Sequence, residues 1–307
     1  VLDDVPSRTA AWVAVLRGLG RYLPPHLQLV DDPFGLRFAA DLALPRVGRG
    51  LAARTRRWWM RGRIARSVVS MQLRSRALDE AVVDFVKAGG AQVVLLGAGY
   101  DCRAWRLLGD DRRVTVFEVD HPATQRRKRE RMEGEPGARV RFLPWNFERE
   151  PLSLLPDRLE QLGFDRRAPS VTVLEGVTTY LTPAAIEETF GCVASYSAPG
   201  SRFAFTYVAA ALLVDSSTEA VLGRRVLRMI GEPFRFGFDP DTLEAWLAVR
   251  RLRLERNESF AQIARRLLPQ EPRGTTEGGI PRRSRYVAVA SSTIEPDAEP
   301  MPKLETT

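Results

Sequence analysis

The chain has 307 residues, 44% of them hydrophobic, which is enough for one elaborated α/β domain or two small ones around a buried core. No apolar run approaches the roughly 20 residues that span a bilayer. The N-terminal stretch has no signal-peptide pattern, and two cysteines, Cys102 and Cys192, make neither a disulfide framework nor a metal cluster. A net charge of +8 raises the question of nucleic acid, but only Lys87, Lys128 and Lys303 of the 46 basic residues are lysine. That arginine skew is what a GC-rich genome produces without selection for binding. The expectation is a cytoplasmic protein with no membrane segment, no metal and no nucleic-acid partner.

Residues 1–88 read as a helical cap. Thr9 to Leu19 has helical spacing, Asp32-Pro33 is a turn that puts proline in a helix's first turn, and Ala77 to Val86 is amphipathic. Ten arginines, from Arg46 to Arg76, lie between Asp41 and Asp79 with no acid among them. This stretch is either a solvated helix face or a docking surface for an anionic partner. From residue 89 the pattern changes. Gln92–Leu96, Val114–Phe117, Val140–Leu143, Val171–Leu174 and Arg202–Val208 read as short buried strands, with helices between most of them, notably Pro183 to Tyr196. Such alternation predicts an α/β, doubly wound and mostly parallel sheet covered on both faces. Residues 208–240 read as a mostly helical insert, and Asp239-Pro240-Asp241 opens another helix through Leu247. Leu252–Glu255 and Tyr286–Ala290 are expected to close the domain as a hairpin within 241–290. Residues 291–307, rich in Glu, Pro and Thr, read as a disordered tail.

Strand one runs into Gly97-Ala98-Gly99-Tyr100-Asp101, the βα turn where doubly wound sheets bind ligands. Glycine there lets the backbone turn sharply and approach a ligand. Strand two ends in Glu118-Val119-Asp120, where an acid can accept from both hydroxyls of a ribose. The third glycine of the dinucleotide fingerprint is missing: Cys102 stands in its place. Its loss disfavours a pyrophosphate and favours a nucleoside without phosphates, such as S-adenosylmethionine. Strand three ends at Trp145-Asn146-Phe147, where a side-chain acceptor and an apolar neighbour can meet an adenine, or where Asn146 simply caps a helix.

Taken together, these motifs resemble the leucine carboxyl methyltransferase family over about residues 28–290. The resemblance is carried by Asp31-Asp32-Pro33-Phe34, Arg74-Ser75-Arg76-Ala77-Leu78-Asp79, Gln92 through Leu107, and Glu118-Val119-Asp120-His121-Pro122. Glu175-Gly176-Val177-Thr178-Thr179-Tyr180-Leu181 and Gly231-Glu232-Pro233-Phe234 follow in order. It implies a class I methyltransferase Rossmann-like fold of seven strands, with residues 89–207 as the core that binds S-adenosyl-L-methionine. It also implies that Arg74 pairs with the methionine carboxylate, Gly97, Ala98 and Gly99 line the methionine side, and Glu118 and Asp120 take the ribose. Asn146 and Phe147 stand where the family usually has Asp-Leu against adenine, so the acceptor there lacks a charge. Glu175 lies beside the sulfonium and amino group, and Asp101 either receives that ammonium or caps the next helix.

A cofactor already activated for methyl transfer leaves the protein to align the nucleophile and exclude water. A carboxylate needs no base, whereas a phenol, with a pKa of about 10, gains from one. His26 and His121 are the only histidines, and neither falls in the substrate half. The reading is therefore carboxylate O-methylation of a small acidic molecule, as in natural-product biosynthesis. Phenolic O-methylation is the alternative, and a basic RNA-binding or adaptor protein that retains the fold is a third. Tyr180, Tyr207 and Arg235 are the candidates to orient the acceptor. The N-terminal helices and the 208–238 insert are expected to form a lid, with Trp58 and Trp59 either anchoring it or stacking on an aromatic substrate.

Overall fold

A computed structural model describes residues 6–42, 63–109, 111–136, 139–216, 234–268, 276–277 and 280–293. Trp58, Trp59, most of the arginine-rich stretch, most of the insert and residues 294–307 lie outside the described residues.

The first helix, α1 (Arg8–Leu19), starts at Ser7, whose side chain accepts from the Ala10 amide. Asp32 then folds the chain back. Its Oδ1 accepts from the amides of Phe34 and Gly35, and a 3-10 helix over Gly35–Leu42 follows. The second helix, α2 (Arg63–Lys87), is far longer than the amphipathic segment visible in sequence. It lies across the sheet, and Val68, Leu73, Ala77, Leu78 and Val82 form its buried stripe.

The sheet follows in alternation. The chain passes through β1 (Gln92–Leu96), α3 (Arg103–Arg106), β2 (Thr115–Asp120), α4 (Pro122–Met132), β3 (Arg139–Pro144), α5 (Leu155–Gln161) and β4 (Ser170–Leu174). It continues through α6 (Pro183–Tyr196), β5 (Arg202–Val208), α7 (Ala211–Val214), α8 (Leu243–Ala248), β6 (Leu252–Ser259), α9 (Phe260–Leu267) and β7 (Arg285–Ser292). The spatial order is β3-β2-β1-β4-β5-β7-β6. The first five strands pair in parallel, whereas β7 runs antiparallel between β5 and β6. This is the seven-stranded, doubly wound architecture expected.

Alternate residues of the central strands face opposite layers. Val93, Leu95, Val171, Val173 and Ala204 pack toward α2 and α9. Val94, Leu96, Phe117, Phe203 and Phe205 pack toward α5, α6 and α8, where Phe190 meets Phe203, Phe205 and Phe238 edge to face.

Two expectations at the C-terminal end are corrected. β6 and β7 pair, but not as a tight hairpin, because Ser259 and Gln262 form a capping box that starts α9 at the end of β6. The strand also runs past Ala290. Ser291 and Ser292 belong to β7 and are buried between β5 and β6, so two residues read as tail are sheet. Among the described residues no helix is long and apolar enough to cross a membrane.

Candidate active site

β1 and β4 are neighbours, while the chain leaving β1 winds toward β2 and the chain leaving β4 winds toward β5. Their C-terminal ends therefore part and leave a crevice. A cavity of about 640 Å³ lies there, walled by the turns after β1, β2, β3 and β4, by α1 and α2, and by the facing ends of β5 and β7.

The glycine turn is held from beneath. The amides of Gly97 and Ala98 donate to the Val119 carbonyl, at 2.9 and 3.2 Å. Gly97 and Gly99 have φ of +63° and +47°, a region that side chains rarely adopt. A Cβ on Gly97 would come within 2.8 Å of Val177, and one on Gly99 within 3.1 Å of Ala10 on α1. Asp120 stands beside this turn. Its Oδ2 accepts from the Gly99 amide and its Oδ1 from the His121 amide. Each carboxylate oxygen thus spends one acceptor position on backbone and keeps another. Burial pushes the Asp120 carboxyl above its ordinary range, partly offset by those two amides.

Beneath the turn lies a buried charge network. Arg74 on α2 donates to Glu175 Oε1 at 2.7 Å. Arg103, fully buried, donates to Glu175 Oε2 and to Asp79 Oδ1, both at 2.7 Å, and to Asp101. Arg106 closes on Asp79 at 2.5 and 2.6 Å. Arg17 on α1 pairs with Asp32 at 2.5 Å and donates to the Tyr100 carbonyl at 2.7 Å, tying the helical cap to the glycine turn. Burial alone would raise the Glu175 carboxyl. Arg103, Arg74 and Arg17 outweigh it and hold the group well below the usual carboxylate range. Asp101 is held low in the same way, against burial, chiefly by Arg103 and Arg17. It also accepts from the Arg103 amide at the start of α3 at 2.8 Å, which is the helix-capping one of its two sequence readings.

At the other end of the cavity the Asn146 side chain accepts from the Glu148 amide at 3.0 Å, closing a turn rather than capping a helix, since no helix follows it, and Asn146 itself lines the cavity. Phe147 and Trp12 line it too and are 41% and 45% exposed, which makes them its aromatic rim. Trp12 carries no signal in sequence beyond its place in a segment of helical spacing. His121 lines this same end, and its Nδ1 accepts from Ala123 at 3.3 Å as the N-cap of α4.

Tyr180 and Tyr207 line the remaining part. Tyr180 lies 6.2 Å, centroid to centroid, from Phe234. Tyr207 stacks on Tyr286 and donates its hydroxyl to Asn257 Oδ1 at 2.8 Å. Burial pushes its phenol above the ordinary value, so it is a neutral donor already in use.

Two expected residues do not reach the cavity. Glu118 sits two residues before Asp120, roughly 7 Å deeper along the strand, and is buried against Lys128 Nζ at 2.6 Å. Arg235 is exposed. Its amide donates to the Thr179 carbonyl at 2.7 Å, and its side chain does not line the cavity. The cation that the sequence reading missed is Arg285, the first residue of β7, which does line the cavity.

The family model described as Leucine carboxyl methyltransferase matches residues 10–194. The chain belongs to that family. This stretch holds the glycine turn, Asp120, the Arg74–Glu175 pair and the buried arginines, and strands β5 and β7 lie beyond it. A "Putative S-adenosyl-L-methionine-dependent methyltransferase" of Mycobacterium avium (strain 104) is 34% identical over 182 residues, 58% of this chain and 56% of that protein. A protein of the same name from Mycolicibacterium gilvum (strain PYR-GCK) is 33% identical over 175 residues, 56% of this chain and 53% of that one. The chain thus spans about half the length of the curated relatives it matches. Among solved structures, a "putative methyltransferase" from Thermobifida fusca YX superposes with a TM-score of 0.57 at 14% identity, covering 95% of this chain and 97% of that one. A duf574 family protein from Streptomyces avermitilis MA-4680 gives 0.56 at 15% identity, covering 95% and 100%. At such identities the likeness shows the fold, that of the class I methyltransferases.

Proposed function

We propose that the protein is an S-adenosyl-L-methionine-dependent O-methyltransferase that forms a methyl ester on the carboxylate of a small molecule. The observation that carries this reading is the pairing of two unlike grips in one cavity. Asp120 has an acceptor position left on each oxygen for a pair of ribose hydroxyls, and Arg74 and Glu175 offer opposite charges to the two ends of an amino acid. The residues fit a nucleoside with an amino-acid tail. A phosphate ligand would instead need amides directed into the cavity, and here those of Gly97, Ala98 and Gly99 are spent on Val119 and Asp120.

Asp120 would hold the ribose, and Arg74 the tail carboxylate by exchanging Glu175 for it. Glu175, with Asp101 nearby, would face the ammonium. Asn146 and the rim rings Phe147 and Trp12 would border the adenine. When bound, the sulfonium supplies an activated methyl group: a C–O bond forms as the S–CH3 bond breaks, its electron pair returns to sulfur, and no proton moves. The acceptor half suits this economy, since neither histidine lies there. His26 is exposed on the helical cap and His121 caps α4 at the adenine end. Arg74 and the rings would orient ligands and keep water out; none needs to act as a base.

The test is incubation with methyl-labelled cofactor and a library of small carboxylic acids and phenols. The expected product loses its label in mild base, as an ester does. A base-stable methyl ether would mean that the acceptor is a phenol, and no transfer to any compound together with no cofactor binding would end the enzymatic reading.

A further inference from the structure

We propose that Ser70 is a second donor to the cofactor's tail carboxylate, converging with Arg74 on one point of the cavity wall. The inference rests on the cofactor-binding reading above and adds a residue to it. The helix α2 passes into β1 through a short turn at residues 88–91, so it runs opposite to that strand. Its N-terminal turns therefore project past the C-terminal ends of the sheet. Along one face it carries Ser67, Ser70, Arg74, Ala77 and Ala81 at helical spacing. Ala77 and Ala81 are buried in the core that α2 shares with the strands. From Arg74 toward the N-terminus the same stripe turns polar, and Arg74, Ser70 and Ser67 all line the cavity.

Ser70 is 1% exposed, and its hydroxyl has no hydrogen-bond partner among the described residues. A serine inside a helix commonly returns its hydroxyl to the carbonyl one turn back, and this one does not. The hydroxyls of Ser75, Ser170 and Ser291 are also buried without a partner, but of these four serines only Ser70 lines the cavity. Alanine would fill the same space without desolvating a polar group. Buried hydroxyls are nearly always satisfied, so one that faces a ligand cavity marks a place where a ligand oxygen completes the set.

Arg74 supplies the other half of the pair. Long side chains on a helix lean toward its N-terminus, over the residues three and four places earlier. The Cα atoms of Ser70 and Arg74 lie about 6 Å apart along the axis, and this lean brings the guanidinium toward the serine. Its Nε is spent on Glu175 at 2.7 Å, while neither Nη has a partner among the described residues. The guanidinium reaches the turn after β4, where a Cβ on Gly176 would stand 3.4 Å from Nη1. Unspent donors on a cation and on a neighbouring hydroxyl thus share one wall. A carboxylate suits them: its oxygens offer about four acceptor positions, of which a guanidinium fork fills two and a hydroxyl a third. The tail ammonium is repelled from this place by Arg74 and belongs with Glu175.

The test uses the full chain and two ligands, S-adenosylhomocysteine and its decarboxylated analogue, which keeps the adenosine, the sulfur and the amine. Calorimetry measures both on the unmodified protein and on Ser70→Ala, and thermal melts compare the two proteins without ligand. Ser70→Ala should bind S-adenosylhomocysteine about tenfold more weakly, the worth of a hydrogen bond to a charged acceptor. The decarboxylated analogue should bind the two proteins within about twofold of each other. Without ligand the variant should melt no lower than the unmodified chain, because it gives up a hydroxyl that bonds nothing and gains a better helix former. A loss of S-adenosylhomocysteine affinity below about threefold, an equal loss for both ligands, or a lower melting temperature without ligand overturns the assignment. Failure of the unmodified protein to bind S-adenosylhomocysteine is a different result, and it overturns the cofactor reading beneath.

Discussion

Replacing Arg103 with methionine removes the centre of the buried network while keeping a side chain of similar length. Arg103 is fully buried and holds Asp79 and Glu175, each at 2.7 Å, together with Asp101. After the substitution Asp79 keeps Arg106 and Glu175 keeps Arg74, but Asp101 loses the side chain it pairs with. Removing one partner from a buried ionic set costs about 3–5 kcal/mol, because a desolvated charge is left behind. At about 2 °C per kcal/mol for a chain of this size, the melting temperature should fall by about 6–10 °C at pH 7. The pH dependence has a definite sign. In the native protein the Asp101 and Glu175 carboxyls lie below their ordinary range, so they contribute stability above the unfolded value near 4, which is lost as pH falls through the folded value. Without Arg103, burial dominates at Asp101 and raises its carboxyl. Protonation then relieves the variant, and its deficit should shrink as pH falls from 7 toward 4. Thermal melts by circular dichroism across that range measure both quantities. A deficit under about 1 kcal/mol at pH 7, or one that widens on acidification, would refute the reasoning. Arg103→Lys should rescue little, since one ammonium cannot span three carboxylates.

Three further outcomes follow from the same geometry. Arg74→Ala should weaken S-adenosylhomocysteine binding by about tenfold or more, the worth of a charged hydrogen-bonded pair, and an unchanged affinity would remove Arg74 from the site. Glu118 is pushed up to about 7 by burial, with Lys128 partly opposing. Its raised value gives stability present below about pH 4.5 and lost as pH rises through 7, about 3 kcal/mol in all. The difference in stability between the native protein and Glu118→Gln should therefore change with pH across that window, while cofactor affinity stays constant; a flat difference contradicts it. Tyr207→Phe should cost about 1 kcal/mol in thermal melts by unpairing Asn257, with cofactor affinity intact. No loss would show that this hydroxyl is not structurally committed.

The parts of the fold that were legible in sequence are those whose signal is local. The central strands β1, β4 and β5 are legible because a parallel strand buried on both faces is largely apolar, whereas β3, at the sheet edge with Arg139 and Arg141 exposed, shows itself by alternation. The helix from Pro183 to Tyr196 was bounded correctly because Thr182 caps it, with proline at its first position. Residues at strand ends, such as Gly97, Asp120 and Glu175, were legible because the βα turn fixes where they point. What sequence hid depends on pairing between distant segments. Arg285 reaches the cavity only because β7 runs antiparallel, and nothing within residues 285–292 says so. Glu118 and Asp120 look interchangeable until strand depth separates them. Arg103 looks like one more arginine in sequence, because the acids it joins, Asp79, Asp101 and Glu175, come from three separate segments. Ser291 and Ser292 look like tail and are sheet, because neighbours on both sides satisfy their backbone.

The central claim is that the crevice between β1 and β4 binds a nucleoside bearing an amino-acid tail, gripped at the ribose by Asp120. Calorimetric titration of S-adenosylhomocysteine into the unmodified chain and into Asp120→Ala tests it most directly. One molecule should bind per chain, and the variant should bind about 100-fold or more weakly, the loss of two hydrogen bonds to a charged acceptor. Equal affinity in a folded Asp120→Ala, or tighter binding of NAD than of S-adenosylhomocysteine by the unmodified chain, would contradict it.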